Sequence, residues 1–286
     1  MATEITPLEL TGDDSEIRSK AWNGYVPICF TLCQDDAVVA ADNSPLFLLE
    51  HRMCTLPVIS LDDKYRKSLF RSISGAKTEL WFEDKKTKTP LKWYIPVGVL
   101  YDVYKGSASS GKPTVFDGDE SPVWDIVVHY SEYPEVLPHW VNEQKFKSSY
   151  LFTIKESASV KFGDQKIINA LTEEQTDSIM KLVIKSDGYT AELCNLLDKL
   201  LSTNAPKRIP VRICTKDAPF IQQNVEPEAT LKDVCTRAFG EEVVAGSDFE
   251  KSVLIHGICV PLDTKMEWIY AVFAYPDNFL YIAVDK

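Results

Sequence analysis

The sequence predicts an α+β fold in three parts, namely a sheet-and-helix domain, a helix-rich domain and a second sheet-and-helix domain, with a short helix in front. Three observations carry this. A series of landmarks in the first part recurs in the same order in the last part. Between the two series, apolar residues recur at helical spacing, and glycine is scarce from Ser131 to Leu201. A diverged duplication of one small domain around a helical insert accounts for all three.

The first series opens with a strand, Tyr25-Val-Pro-Ile-Cys-Phe-Thr-Leu32. It continues through a helix opening Ser60-Leu-Asp-Asp63 and ending near Phe70, then a strand at Leu80-Trp-Phe82. Pro90-Leu91 and Trp93 follow, and Trp124 to Tyr130 is the last strand. The second series opens with Arg208-Ile-Pro-Val-Arg-Ile213, and its helix runs from Thr230-Leu-Lys-Asp233 to Phe239-Gly240. A strand at Val253-Leu-Ile-His256, then Pro261-Leu262 and Trp268, lead to a last strand, Phe279 to Val284. Each helix has a Ser/Thr cap with Asp three residues on, which satisfies first-turn N–H groups and suits the macrodipole. One helix across a mixed sheet of four or five strands is the ubiquitin-like (β-grasp) plan, although other α+β folds give the same order of elements.

In the middle, Phe146, Tyr150 and Ile154 form a helical stripe, and Thr172-Glu-Glu-Gln175 is a capping-box pattern that starts a helix stopping near Gly188. Leu193, Leu196, Leu197, Leu200 and Leu201 follow i, i+3, i+4, i+7, i+8. Asn204-Ala-Pro-Lys-Arg208 links into the second copy. Ser15 to Trp22 reads as a short helix closed by Gly24, and Lys105 to Pro113 as a flexible excursion. The predicted parts are 1–24, 25–130, 131–205 and 206–286.

Composition narrows the function. The 286 residues carry a net charge of −11, which disfavours nucleic acid or an anionic membrane as partner of the bulk surface. Seven cysteines without paired spacing fit reduced thiols. The start has no basic region followed by an apolar stretch, and mostly apolar runs reach about half of what a bilayer needs. A soluble, cytosolic, globular protein is expected. A cysteine hydrolase needs a nucleophile and a histidine base in one site. Cys29, Cys54, Cys214 and Cys259 instead lie in strand-like or apolar surroundings, where free cysteine is a small core residue. Cys29-x-x-x-Cys33 lacks the second pair of a zinc site, and Asp117-Gly-Asp-Glu120 lacks the spaced ligands of a calcium loop. There is no phosphate-binding glycine motif. The expectation is therefore no catalytic residue, no metal and no cofactor. Trp81, Trp93, Trp124 and Trp268 read as core or domain contacts, with Trp93 and Trp268 at equivalent places in the two copies.

Several blocks resemble one family. Trp22-Asn-Gly-Tyr-Val-Pro-Ile-Cys-Phe-Thr-Leu32, Leu80-Trp-Phe-Glu83, Thr89-Pro-Leu-Lys-Trp93, Pro96-Val-Gly-Val-Leu100, Val127-Val-His-Tyr130, Pro219-Phe-Ile-Gln222, Ile255-His-Gly-Ile258 and Tyr275-Pro-Asp-Asn-Phe-Leu280 are similar to the autophagy protein 5 family. The resemblance implies two ubiquitin-like domains flanking a helix-rich one. It implies a scaffold without catalysis of its own, joined covalently through a lysine to the ubiquitin-like autophagy protein 12. Autophagy protein 16 would bind noncovalently, as a helix in a groove made by all three domains. E1-like autophagy protein 7 and the E2-like autophagy proteins 10 and 3 are implied as transient or indirect partners. The conjugate would act like an E3, promoting lipidation of autophagy protein 8 with phosphatidylethanolamine during autophagosome formation. Its place would be the cytoplasm and, peripherally, the preautophagosomal membrane. Neither copy offers a free glycine-glycine tail, which fits a scaffold rather than a tag.

The resemblance places the acceptor at the end of the first helix of the helical domain, where Phe152-Thr-Ile-Lys-Glu-Ser-Ala158 nominates Lys155. On a helix wheel Lys155 falls off the centre of the Phe146, Tyr150, Ile154 stripe, so its amine should reach solvent. Lys145, Lys147, Lys161 and Lys166 are the local alternatives. The other function in view is a noncovalent ubiquitin-fold adaptor that binds a helical partner without conjugation.

Overall fold

The computed structural model describes residues 11–33, 44–57, 80–106, 121–139, 143–184, 196–197, 206–216 and 218–285. Strand β1 (Tyr25–Leu32) pairs antiparallel with β2 (Leu46–His51) on one side and parallel with β5 (Trp124–His129) on the other. Beyond β5 come β3 (Trp81–Asp84) and β4 (Thr89–Pro90), giving the order β2-β1-β5-β3-β4. The second sheet repeats the plan. Strand β6 (Ile209–Cys214) lies between antiparallel β7 (Ile221–Val225) and parallel β9 (Leu280–Val284), and β8 (Val253–Leu254) pairs with β9. Two separate sheets, each with a parallel central pair, are the expected ubiquitin-like arrangement.

The duplication extends to single residues. Each central strand carries a proline near its start, Pro27 and Pro210, which cannot donate to a ladder. In both copies the parallel ladder begins at the next residue, with Ile28 opposite Trp124 and Val211 opposite Leu280. The prolines thus stand where a missing N–H is harmless.

Each copy also contains a short apolar helix that the sequence reading lacks. Helix α2 (Val97–Tyr104) and, near the end of the chain, a second helix (Met266–Phe273) are each two turns long and mostly buried. Neither has a side-chain cap. Instead, the N–H groups of Val97 and Gly98 donate to the carbonyls of Cys54 and Arg52, each at 2.7 Å. Those of Met266 and Glu267 donate to Ala229 and Pro227, at 2.8 and 2.9 Å. Backbone groups just past β2 and β7 therefore satisfy both helix starts. Such helices are apolar all round, so no periodic stripe marks them.

This correspondence corrects the reading of two tryptophans. Trp268 lies inside the second short helix, whereas Trp93 precedes α2, so they are not equivalent. Trp93 is core and donates to the Pro138 carbonyl at 2.7 Å. Trp268 donates to Asp14 Oδ1 at 2.9 Å and thereby holds helix α1 (Gly12–Trp22), whose Thr11–Asp14 capping box starts it earlier than expected. Trp124 and Trp81 are buried, the first bonded to Asp84 Oδ1 at 2.8 Å and the second stacked on His129.

The helical part contains α3 (Glu143–Phe162), α4 (Lys166–Asn169) and α5 (Glu173–Ile184). The Thr172–Gln175 capping box is formed as read. Helix α3 is 20 residues long, with Phe146, Ile154, Ser157 and Ala158 buried. In the second copy α6 (Leu231–Phe239) starts at capped Thr230, and α7 (Glu241–Val244) follows Gly240. The helix from Met266 to Phe273 is accordingly α8. In the first copy, helical conformation begins at Leu56, directly after Thr55. The expected opening at Ser60, most of the 105–113 excursion, the Asp117–Glu120 turn, Leu193, Leu200, Leu201 and Asn204 lie outside the described residues.

The predicted strand through His256 ends sooner, because Ile255 and Ile258 bridge across a two-residue turn. His256 and Gly257 both have positive φ, 52° and 77°, the requirement of a type I′ turn. A Cβ on Gly257 would also meet Arg52 and Asp102 at 3.4 Å. Gly257→Ala is expected to lower stability by about 1–2 kcal/mol, from the left-handed backbone alone, as read by urea unfolding monitored by tryptophan fluorescence.

Candidate conjugation site and partner groove

Helix α3 is the platform on which the candidate site stands. Its buried residues pack into the joint hydrophobic core, and Glu156 anchors it to the second sheet. Glu156 Oε2 accepts from Arg212 Nη2 on β6, and Oε1 from Gln222 Nε2 on β7, both at 2.8 Å. Arg212 is itself buried, lies over the Phe279 ring at 3.7 Å and donates to the Tyr281 hydroxyl at 3.1 Å. A surface carboxylate on the helix is thus held by an arginine the second domain has locked.

Lys155 is the residue before this anchor. It is the thirteenth residue of a 20-residue helix, not the last, and its side chain is half-buried rather than fully exposed. Of the alternatives, Lys161 is buried, with Nζ 5.4 Å from the Tyr270 ring and 3.5 Å from Asn278 Oδ1. Lys147 pairs with Glu143 at 2.9 Å, and exposed Lys166 with Asp164 at 3.6 Å.

The opposite face of α3 borders a groove made by all three parts of the chain. Trp93 and Tyr94 come from the first copy, Phe146 and Tyr150 from α3, and Tyr275 and Pro276 from the second copy. It holds about 410 Å³ of unfilled space including its open mouth. Phe146 and Lys155 are nine residues apart, about two and a half turns, so the lysine and the groove lie on opposite sides of one helix.

Below the groove, the two ubiquitin-like domains meet at Arg52. Its guanidinium forms a buried ion pair with Asp102 of α2 and donates to the Gly98 carbonyl at 3.1 Å. Burial alone would lower the pKa of Arg52, but the Asp102 carboxylate together with Tyr275 and Tyr101 more than offsets it, and the arginine stays charged. The Gly257 turn of the second domain closes over this pair. His256 stacks on Tyr275 at 4.4 Å, and its Nε2 lies 2.9 Å from the Phe273 carbonyl. Burial pushes His256 down to about 3 and, in the first domain, His51 down to about 4, with Arg52 adding to both shifts.

Three of the described thiols are held protonated by burial. Burial raises Cys214 and Cys235 to about 12 and pushes Cys54 well above its ordinary value, the reverse of an activated thiolate. Cys259, expected in the core, is exposed because it follows the tight turn at Gly257. Among the described residues there is no cluster of His, Cys, Asp and Glu able to hold a metal, and no helix long and apolar enough to cross a membrane.

Sequence reasoning missed Arg52–Asp102 and Glu156–Arg212. Asp102 could have been found, because a lone carboxylate in the apolar run Val97-Gly-Val-Leu-Tyr-Asp-Val-Tyr104 implies a buried partner. Nothing local marks Glu156, since its partner is 56 residues away.

Comparison with known families matches both copies separately. The model described as Autophagy protein ATG5, UblA domain, matches residues 21–130, and Autophagy protein ATG5, UblB domain, matches 208–284. The chain belongs to the autophagy protein 5 family. It is therefore a protein of autophagy. Among relatives of that family, autophagy protein 5 of Drosophila melanogaster is 26% identical over 283 residues, covering 95% of this chain and 97% of its own length. The autophagy-related protein 5 of Caenorhabditis elegans is 24% identical over 287 residues, with 95% and 98% covered. The crystal structure of Kluyveromyces marxianus Atg5 superposes with a TM-score of 0.74 at 20% identity, covering 95% of this chain and all of that one, a likeness of fold.

Two outcomes follow from the interdomain contact. Asp102→Asn leaves a buried arginine unpaired and should cost about 3–5 kcal/mol in urea unfolding, whereas replacing Arg52 and Asp102 together by apolar residues should cost less. His51 and His256 are neutral when folded and titrate near 6.5 when unfolded. Their contribution to stability is complete above about pH 6.5 and is lost as pH falls through about 4 and then about 3. Equilibrium unfolding from pH 7 to pH 4 should show a steeper loss than the His51→Phe, His256→Phe double variant.

Proposed function

We propose that this chain is the acceptor and scaffold of a ubiquitin-like conjugation system. Lys155 takes autophagy protein 12 in an isopeptide bond, and the groove takes a helix of autophagy protein 16. The conjugate then promotes transfer of autophagy protein 8 to phosphatidylethanolamine, working from the cytoplasm at the preautophagosomal membrane. Autophagy protein 7 and autophagy proteins 10 and 3 are the activating and conjugating enzymes in this scheme, and the chain contributes no catalytic group.

The observation that carries the reading is the placing of two features on opposite faces of α3. The groove face is lined by aromatic side chains from three parts of the chain, suited to the apolar face of an amphipathic helix. The other face bears Lys155 in its Ile-Lys-Glu-Ser context, where a bulky modifier would not obstruct the groove. Helix α3 stays rigid under both loads because Glu156 fastens it to the second sheet.

The chemistry is aminolysis. The unprotonated amine of Lys155 attacks a thioester carbonyl, the C–S bond breaks, the thiolate leaves and the amine proton passes to solvent. Arginine, with a pKa above about 12, cannot supply such an amine. Lys155→Arg should therefore abolish the mass gain seen after incubation with the modifier, its activating and conjugating enzymes and ATP. Stability should change by no more than about 0.5 kcal/mol. Calorimetry should find the same affinity for the helical peptide before and after conjugation. A Lys155→Arg chain conjugated at the wild-type rate would overturn the assignment.

A further inference from the structure

Resting on the reading of Lys155 as acceptor, we propose that Phe152 is the residue that positions the incoming thioester complex on it. Phe152 is 69% exposed, the most exposed aromatic side chain among the described residues. It stands three residues before Lys155, and side chains at that spacing are neighbours, about 5–6 Å apart at Cβ. The inner face of α3 is filled by Phe146, Ile154, Ser157 and Ala158. Phe152 therefore serves neither the core nor the groove.

The half-burial of Lys155 makes such a residue necessary. A lysine on a loop can swing its amine toward a donor. Lys155 is fixed on a helix that Glu156 holds to Arg212 and Gln222, and its stem lies partly against the protein. The donor must instead be brought to the amine, along the outward arc of α3 that also carries Lys145, Ser148 and Glu156. Phe152 is the apolar side chain at the centre of that arc. A rigid aromatic loses little conformational freedom on docking and gains from burial. Holding the thioester carbonyl near a restrained amine is the larger part of what an aminolysis needs. The occupant is the conjugating enzyme charged with the ubiquitin-like modifier, and it offers Phe152 an apolar patch beside the thioester.

Initial conjugation rates measured against concentration of the full-length chain test this, with the cognate modifier, both enzymes and ATP held constant. Phe152→Ser should raise the half-saturating chain concentration about tenfold with little change in the maximal rate. Phe152→Leu should recover most of the loss. Melting temperature and calorimetric binding of the helical peptide should match wild type in both variants, which separates positioning from folding. An unchanged half-saturating concentration for Phe152→Ser, with Lys155→Arg inactive, overturns the role of Phe152 alone. Wild-type conjugation of Lys155→Arg overturns the acceptor assignment and the role of Phe152 with it. A Phe152→Ser chain that binds the peptide weakly or melts lower also counts against the inference, because the residue would then be structural.

Discussion

The arrangement of the two ubiquitin-like domains depends on one buried ion pair, Arg52 with Asp102. Both belong to the first copy, yet the second copy's Gly257 turn seals them from water. Such a pair contributes little net stability compared with well-packed apolar residues, but losing half of it is severe. Its bearing on the domain arrangement is through solvent, because a docking that moved the Gly257 turn away would open the pair to water. The surrounding backbone is shaped for it. A side chain on Gly98 would come within 2.8 Å of the Arg52 carbonyl, so only glycine lets α2 seat on the turn that presents the arginine.

The duplication explains why the lock has its place. In each copy carbonyls just past the second strand accept from the first N–H groups of a short helix, and Arg52 corresponds to Pro227. The backbone device is shared, while the side chains differ, a proline ring in one copy and in the other a cation that lies against the second domain's turn. Helix α3 performs the same kind of joining at another point. Its Glu156 meets Arg212 on β6, and its inner face lines the groove between the copies. The groove's shape is thus set by two inter-part contacts, one buried and one at its edge.

Much of the fold was legible because it is encoded locally. The capping boxes at Thr172 and Thr230 and the β-branched strands at Tyr25 and Ile209 depend on residues within a few positions. The short helices α2 and α8 were not legible, since their starts are capped by distant carbonyls and their faces are apolar all round. The end of the Val253 strand was misread because His256 adopts a left-handed conformation that favours glycine or asparagine. Lys155 is nominated by resemblance alone, and a helix wheel overstates its exposure because a wheel contains no neighbouring elements. A groove among the three parts is implied by the resemblance, but its residues are not readable from the sequence. Its aromatics lie in segments as far apart as Trp93 and Tyr275, each of which looks like ordinary core.

The bond between Trp268 and Asp14 spans 254 residues of chain. A ribosome adding about 5–20 residues per second needs roughly 13–50 s to deliver the tryptophan after the aspartate has emerged. For that time α1 lacks the helix it packs against in the finished protein. The last helix to be synthesised completes the seat of the first. A chain cut short before α8 would therefore leave Asp14 without its tryptophan donor and α1 without that packing face.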